Sequence, residues 1–396
     1  MMLQKTSAKL LFLFFLLFSL PNVVQASPNT QQPIDEKIVN DQLNKLGIED
    51  IQTYWEDLVT NYGGYLPESQ KGSFLEFIKG EKQFSIQEWF KGLLKFLFHE
   101  LIANSKLLGT LILLTIFSAL LQSLQSAFEK SSIAKIADAV VYMVLTVFAL
   151  NSFYIVTTYA KDTIQTMIDF ILALLPILLA LIATGGGVIS VSFFHPIIIF
   201  LMNTSGLLMN YFVLPLLFLA TILSIVSTMS DQYKVTKLSK LLQNVSIGAL
   251  GVFLTIFLGV LSVQGTATAV ADGIAVKTAK FVTGNFIPVV GRMFTEASDT
   301  VLSASALLKN TVGIAGVVIL LLIVAFPAIK IFVIALIYKF AAAVLQPLGS
   351  NSVIQCLDII GKSIIYVFAA LAIVSLMFFL SISIIVAAGN LTLMVR

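Results

Sequence analysis

A short stretch near the end of the chain contains residues that bind phosphate in other proteins. Gly361-Lys362-Ser363 matches the end of the phosphate-binding loop of nucleotide hydrolases. That loop requires another glycine where Cys356 stands, and it follows a β-strand that this segment does not predict. Asp358 and Lys362 have instead the i,i+4 spacing of an ion pair at the start of a helix. We therefore predict no nucleotide site here.

Two further ionisable side chains, Asp169 and His195, lie within long apolar stretches. Ionisable residues inside a membrane are commonly functional, so both are candidate intramembrane polar residues. Asp169 is only six positions beyond Thr163, however, and can reach the membrane surface. His195 precedes Pro196 and has no carboxylate near it in sequence, so a hydrogen bond near a helix end is the simpler interpretation.

Other catalytic patterns are absent from the sequence. It has no His-Glu-x-x-His motif, no nucleophile elbow and no cluster of cysteine and histidine, and its single cysteine cannot form an intramolecular disulfide. We predict no catalytic residue, no metal and no cofactor. The alternative, an intramembrane enzyme, requires Asp169 or His195 to be essential.

The composition is that of a membrane protein. Hydrophobic residues make up 58% of the chain and charged residues 11%, whereas soluble domains carry about 25% charged residues. Between Thr163 and Ser230 the only charged residue is Asp169. The lipid bilayer is therefore the predicted surroundings, and a net charge of +3 gives no reason to expect nucleic acid as a partner.

The first residues form an export signal. Lys5 and Lys9 precede an apolar run from Leu10 to Leu20, and Val24-Gln25-Ala26 offers small residues for cleavage. We predict a signal peptide over residues 1–26, which places the following segment outside the cytoplasm.

The segment after the signal is the most polar part of the chain. From Ser27 to Lys91 it holds eleven acidic residues and six lysines. Helical spacing of its apolar residues predicts a small extracytoplasmic helical unit over residues 27–85. Residues 86–106 then place a Trp- and Phe-rich stripe opposite a basic face, which is typical of a helix lying in the membrane interface. A core helix of the soluble unit is the alternative.

Residues 107–396 form the predicted transmembrane body, so the fold class is an all-α polytopic bundle. Windows of ~20 apolar residues give seven or eight spans. The eighth depends on whether Val188–Met202 is separated from the next span by Asn203-Thr204-Ser205-Gly206. With the amino end outside and eight spans, the connection with Lys234, Lys237 and Lys240 lies in the cytoplasm, as the positive-inside rule expects. The basic residues of the long 265–310 segment then lie outside, against the rule, although long loops count less.

Residues 265–310 differ from the rest of the body. Pro176 and Pro288 are 112 positions apart, as are Pro215 and Pro327, which indicates an internal duplication. Residues 265–310 then stand where two membrane helices belong, yet they are too polar for lipid. We predict an amphipathic re-entrant or pore-lining segment whose charged residues line a pore or groove: Lys277, Lys280, Arg292, Glu296 and Asp299.

One predicted span carries small residues along a single face, namely Gly248, Gly251 and Gly259. Small residues at helical spacing allow two helices to approach closely. We favour packing within the same chain over contact with a second copy of it, and the second copy stays the alternative.

The whole arrangement closely resembles the stage III sporulation protein AE family of endospore-forming bacteria. The resemblance rests on the signal, the acidic helical segment with Tyr54-Trp55, the helix with Trp89-Phe90, and the spans with the polar 265–310 segment. It implies one member of a mother-cell membrane complex that forms a channel-like conduit to the forespore, with other membrane proteins of that complex as partners. It implies no catalytic residue. The alternative function is a self-sufficient membrane transporter, suggested by the duplication and the polar segment.

Overall fold

The computed structural model describes residues 47–67, 85–127, 132–229, 234–286, 290–348 and 352–394. Throughout these ranges the regular structure is helical and contains no strand, which confirms the predicted all-α class. The predicted signal peptide and most of the predicted extracytoplasmic unit lie outside the described residues.

Nine α-helices are described, several of them far longer than an average helix. In chain order they are α1 Glu49–Tyr62, α2 Ile86–Ala103, α3 Ser105–Ala127, α4 Ser132–Thr184, α5 Val188–Leu208, α6 Leu214–Met229, α7 Thr236–Phe286, α8 Val290–Leu345 and α9 Ser352–Met394. A π-helical turn, Met209–Val213, joins α5 to α6 without a break, and a 3₁₀ turn, Gln346–Leu348, ends α8.

Seven or eight spans is a wrong count for the described residues, which provide five span-length apolar helices, or six if the bent pair α2–α3 is one span. The sequence windows divided α4 at Lys161-Asp162 and α5–α6 at Asn203–Gly206. Neither polar stretch interrupts the helix, because packing against neighbouring helices outweighs the weak helix propensity of aspartate and asparagine.

The long helices run antiparallel between two ends of the bundle. We call one the glycine-turn end, where α4 passes into α5 through Gly185–Gly187 and where α7 ends, α8 begins and α9 ends. We call the other the lysine end, where α3, α6 and α8 end and α4, α7 and α9 begin. At this end, the connection from α6 to α7 and the first turns of α7 carry three lysines, Lys234, Lys237 and Lys240.

The core of the bundle is built around α9. This helix packs against α4, α6, α7 and α8. It is apolar around most of its circumference, as expected for a helix surrounded by protein. Its side chains that are fully buried recur at helical spacing, among them Leu357, Ile360, Ile364, Leu371 and Phe378.

Helices α1 and α2 pack against the middle of the bundle through aromatic rings. Tyr62 stacks on Phe326 of α8 with ring centroids 3.9 Å apart, and Phe96 of α2 meets the same ring edge-on at 5.0 Å. Lys330 lies 6.0 Å from the Tyr62 ring centroid and 4.0 Å from a Glu100 carboxylate oxygen. We call these five residues the aromatic girdle. The described part of the predicted extracytoplasmic unit therefore packs on the bundle.

The helix predicted over residues 86–106 is present as α2 and bends by 45° into α3. Trp89 and Phe96 are buried, whereas Phe90 and Ile102 of the same helix are exposed. Whether its exposed face lies in the membrane interface stays a prediction.

Residues 265–310 continue the two neighbouring spans instead of forming a separate re-entrant element. The first part is the end of α7 and the last part is the beginning of α8, on either side of residues 287–289. Pro288 of the proposed duplication lies outside the described residues, so the duplication stays a prediction.

Candidate functional site at the glycine turn

Three consecutive glycines make the turn between α4 and α5. Gly186 has φ +88°, in the left-handed region that favours glycine. Its neighbour on α7 also demands a small residue, since a Cβ on Gly186 would lie 2.8 Å from Val276 Cγ2. The N–H of Gly187 closes the turn by donating to the carbonyl of Ile182 at 2.8 Å. The turn thus ends α4 and starts α5 with no side chain of its own to cap the new helix.

The missing cap is supplied by Asp272 of α7. Its two carboxylate oxygens accept hydrogen bonds from the backbone N–H groups of Ile189 at 2.8 Å and Ser190 at 3.0 Å. Asp272 is 1% exposed. A carboxylate at a helix N-terminus is stabilised both by the unpaired N–H groups and by the helix dipole. This contact fixes α7 to the beginning of α5.

A buried lysine lies on the other side of the turn. Lys309 of α8 is 2% exposed and its ammonium donates a 2.7 Å hydrogen bond to Asn390 Oδ1 of α9. A Cβ on Gly389 would lie 2.6 Å from Lys309 Nζ, so the glycine makes room for the ammonium. Among the described residues Lys309 has no carboxylate within ion-pair distance, and burying such a charge is costly.

A small cleft adjoins Lys309 and the glycine turn. It is lined by residues of α4, the turn, α8 and α9: Leu181, Ile182, Gly185, Gly187, Ala306, Lys309 and Gly389. Ser190 and Ser305 are close in sequence to the lining residues. Their hydroxyl oxygens are buried, and neither has a hydrogen-bond partner in the described structure. The arrangement can hold a charge or hydrogen-bond a small polar group, and we call it the glycine-turn site.

Metal binding has no support in the described ranges, where no group of three His, Cys, Asp or Glu residues could hold an ion. The ion-pair spacing predicted for Asp358 is present, with Lys362 Nζ 2.5 Å and Lys339 Nζ 2.7 Å from its carboxylate oxygens. These charges lie near the lysine end, far along α9 from the glycine turn.

The two polar candidates from the sequence lie outside the glycine-turn site. Asp169 is exposed on α4 and accepts a 2.9 Å hydrogen bond from Gln165 Nε2, one helical turn earlier. His195 is exposed on α5, two turns beyond the glycine turn. Burial raises the pKa of the Tyr54 hydroxyl on α1, and the Asp169 carboxylate nearby raises it further. Asp169 therefore has an ionisable neighbour on another helix.

The charged candidates of residues 265–310 are divided between two helices. Lys277 is exposed near the end of α7, and Lys280 belongs to the same helix. Arg292, Glu296 and Asp299 belong to α8. The structure does not describe the side chains of Lys280, Arg292, Glu296 and Asp299. The role of these charged residues in a pore or groove stays a prediction.

The small-residue face of α7 makes no close contact within the described chain. A Cβ on Gly248, Gly251 or Gly259 would meet no heavy atom within 4 Å. The close intrachain helix contact that we favoured is thus not formed by described residues, and contact with a second copy stays a prediction.

Sequence reasoning overlooked Asp272 and gave Lys309 no specific role. One signal for Asp272 was available, because it is the only charged residue between Leu241 and Val276. The triple glycine preceding Val188 was another. The contact between Asp272 and the glycine turn could not be predicted, because Asp272 binds backbone N–H groups, which have no sequence signature.

The comparisons with known proteins agree with the resemblance seen in the sequence. The family model described as Stage III sporulation protein AE matches residues 69–389, which include the glycine turn, Asp272, Lys309 and Gly389. The chain belongs to this family. It is similar to "Stage III sporulation protein AE" of Bacillus subtilis (strain 168), with 62% identity over 379 residues that cover 94% of this chain and 95% of the relative. No solved structure matches.

Membership of the stage III sporulation protein AE family makes this chain a sporulation protein, and its span-length apolar helices make it a membrane protein. The matched region extends from before α2 to residue 389, near the end of α9. The bundle and its glycine-turn site are therefore parts of the family's common domain and not additions to it.

Proposed function

We propose that this chain is a membrane-embedded component of a multiprotein channel complex that links the mother cell and the forespore during endospore formation. The observation that carries the proposal is the match to the Bacillus subtilis stage III sporulation protein along 94% of the chain. A bundle with five or six membrane-crossing helices suits a membrane base for such a complex. Other membrane proteins of the same sporulation complex are the proposed partners, with a second copy of this chain as a further one.

The proposed location is the mother-cell membrane that surrounds the forespore, with the amino-terminal segment outside the cytoplasm. With six spans, an exported amino end puts the lysine end in the cytoplasm and the glycine-turn end outside. Lys234, Lys237 and Lys240 then obey the positive-inside rule. A reporter active only in the cytoplasm should work when inserted at residues 231–233 and be silent at residues 287–289. The opposite pattern would overturn this orientation.

The proposal gives the chain no catalytic step. His195 and Asp169 are exposed on different helices and lack a paired nucleophile or base among their described contacts. We expect His195→Ala and Asp169→Asn to support sporulation at the wild-type level. A block by either variant at normal protein abundance would favour the intramembrane-enzyme alternative.

Complementation and co-purification test the channel proposal together. The chain is expressed, with an affinity tag, in Bacillus subtilis that lacks its own stage III sporulation protein AE. We expect heat-resistant spores to return and other sporulation-specific membrane proteins to co-purify with the tag. Restored sporulation without any co-purifying membrane protein would contradict a role inside a complex.

A transport assay separates the proposal from the transporter alternative. The purified chain is placed alone in lipid vesicles loaded with small solutes. A channel component that needs its partners should release no more solute than empty vesicles. Solute flux that requires this chain alone would support the transporter instead.

A further inference from the structure

The long helices exceed the thickness of a membrane. The five span-length segments have 39 to 46 residues, which at 1.5 Å per residue makes them about 59 to 69 Å long. The hydrocarbon core is about 30 Å thick. A tilt of about 40° lengthens the crossing only to about 39 Å. At least a third of each helix must therefore lie outside hydrocarbon.

The two halves of α4 have different surfaces. From the lysine end to the middle, most of its exposed side chains are large and apolar, including Val140, Met143, Val147 and Phe148, and Asn151 is a polar exception. Between Lys161 and Thr184 its exposed residues are polar or small: Lys161, Asp162, Gln165, Thr166, Asp169, Pro176, Ala180 and Thr184. A lipid-facing surface has the first composition, and a surface facing water has the second.

The continuous helix α5–α6 shows a related change. On the part nearer the glycine turn, Ser192, His195 and Asn203 are exposed together with four large apolar residues, Val188, Phe193, Phe200 and Leu207. Tyr211 is 78% exposed near the junction. Beyond it the large exposed side chains of α6 are apolar, as at Leu219 and Val226. Tyrosine is enriched where a helix leaves hydrocarbon.

The aromatic girdle stands at the level where these surfaces change. Lys161 and Asp162 follow Tyr159, whose ring lies 5.8 Å from Lys330 Nζ. On the same flank α1 turns Glu49, Asp50, Glu56 and Asp57 outward. Each such charge would cost roughly 2.5–3.5 kcal/mol at the membrane centre on insertion scales. This level therefore suits a membrane surface.

The length of α3 gives an independent measure of the distance between the aromatic girdle and the lysine end. It begins at Ser105, just after Glu100 of the girdle, and leads to the lysine end. Its 23 residues extend about 34 Å, close to the hydrocarbon thickness. Leu113, Phe117 and Leu120 are exposed along it. The distance between girdle and lysine end therefore matches one bilayer.

We propose that the hydrocarbon core of the bilayer surrounds the half of the bundle between the aromatic girdle and the lysine end, where most of the exposed large apolar side chains lie. This lipid half includes residues 132–159 of α4, all of α3, and α6. The other half, the projecting half, includes residues 163–184 of α4 and all of α5, and it holds the glycine-turn site outside the hydrocarbon. The interaction surface is the belt of exposed apolar side chains on α3, α4 and α6, and its partner is the acyl-chain region of a bilayer.

The lipid half also contains the ion pairs of Asp358 with Lys339 and Lys362, and these charges can lie close to the membrane surface. Asp358 is only six residues after the start of α9, about 9 Å from the lysine end. Its partners Lys339 and Lys362 have flexible stems that can carry their ammonium groups toward the headgroups.

Thiol accessibility at matched exposed positions tests the proposal. Single cysteines replace Met143 and Thr166, both exposed on α4, and Leu219 and Asn203, both exposed on α5–α6. Each variant is made in a Cys356→Ala background, so that the introduced cysteine carries the single thiol of the chain. Alanine replaces the natural cysteine because that side chain is small and fully buried. The purified full chain is placed in phosphatidylethanolamine–phosphatidylglycerol vesicles. A membrane-impermeant maleimide is supplied on both sides, so that orientation does not matter.

We expect Thr166→Cys and Asn203→Cys to react roughly tenfold faster or more than Met143→Cys and Leu219→Cys, because a thiol in an apolar environment forms little thiolate. Labelling after denaturation in detergent shows that each thiol is intact, and gel filtration shows that each variant is folded. The reverse order would place lipid on the glycine-turn half. Protection at all four sites, or reaction at all four, would equally overturn the proposal.

Quenching by lipids carrying nitroxides on their acyl chains gives a second measurement. A fluorophore attached at Met143→Cys or Leu219→Cys should be quenched strongly, and one at Thr166→Cys or Asn203→Cys weakly. Equal quenching at both members of either pair would contradict a boundary at the girdle. Failure of the channel proposal would not change either result, because both experiments use the chain alone.

Discussion

Lys309 of α8 donates a 2.7 Å hydrogen bond to Asn390 of α9 inside the bundle, and that amide is its one polar partner among the described residues. A buried ammonium with a single neutral acceptor is stabilised much less than it is penalised by the loss of water. Its presence next to a glycine-lined cleft is therefore better explained by a functional need than by stability.

Replacing Lys309 with methionine should leave the bundle as stable as the wild type or more so. Methionine keeps most of the buried stem and removes the charge. Lys309→Ala is the matched variant, and the cavity it leaves should lower stability by about 2–5 kcal/mol. Thermal unfolding of the purified chain in detergent measures both. A marked fall in Tm for Lys309→Met would show that the ammonium has a stabilising partner.

Replacing Asp272 should weaken the beginning of α5. Asp272→Ala removes both hydrogen bonds to the backbone of Ile189 and Ser190, and the loss of a helix cap costs about 0.5–2 kcal/mol. Asp272→Asn keeps one accepting oxygen and should lose less. Asp162→Asn, on the exposed side of α4, is the control and should leave the unfolding temperature unchanged. Equal effects at the two positions would rule out the cap as the cause.

Two glycine-to-alanine substitutions should have opposite effects. Gly186→Ala puts a side chain at φ +88° and against Val276, so it should destabilise the turn and reduce sporulation. Gly248→Ala lies in the interior of α7 with open space beside it and should stabilise that helix by about 0.5–1 kcal/mol. A comparison of Tm and spore counts tests the pair. If Gly248→Ala instead lowers the oligomeric mass, the small-residue face contacts a second copy.

The packing of α1 on the bundle should depend on Tyr62. Tyr62→Ala removes the ring stacked on Phe326 and should expose residues 47–67 to protease several times faster, because local opening is governed by such contacts. Glu56→Ala, on the outer face of α1, should change the cleavage rate little. Unchanged protection in Tyr62→Ala would mean that Ile51 and Trp55 hold α1 in place by themselves.

The sequence predicted the fold class well and the division into helices less well. Apolar composition makes membrane helices nearly unavoidable, since backbone polar groups must be satisfied internally. Lys161-Asp162, however, looked like a break between two spans and lies within one helix. A 20-residue window cannot distinguish a loop from a polar level in a long helix, because the difference depends on what packs beside it.

The glycine-turn site was largely beyond sequence reasoning. Asp272 and the backbone N–H of Ile189 are 83 positions apart, and Lys309 and Asn390 are 81 apart. Asp169 and His195 attracted attention because they interrupt apolar runs, yet exposure on a helix surface is enough to explain them. Burial, which separates these two cases, is a property of the folded bundle.

The capping of α5 by Asp272 also sets an order of events during synthesis. At about 5–20 residues per second, the ribosome needs several seconds to make the 83 residues that separate Ile189 from its cap. All of α4 and α5 is therefore synthesised before the residue that caps the turn between them. The α4–α5 hairpin gains its cap only after α7 has been made and has packed against it. A chain truncated before residue 272 should therefore leave the membrane insertion machinery with the beginning of α5 uncapped, and quality-control proteases should cleave it more readily.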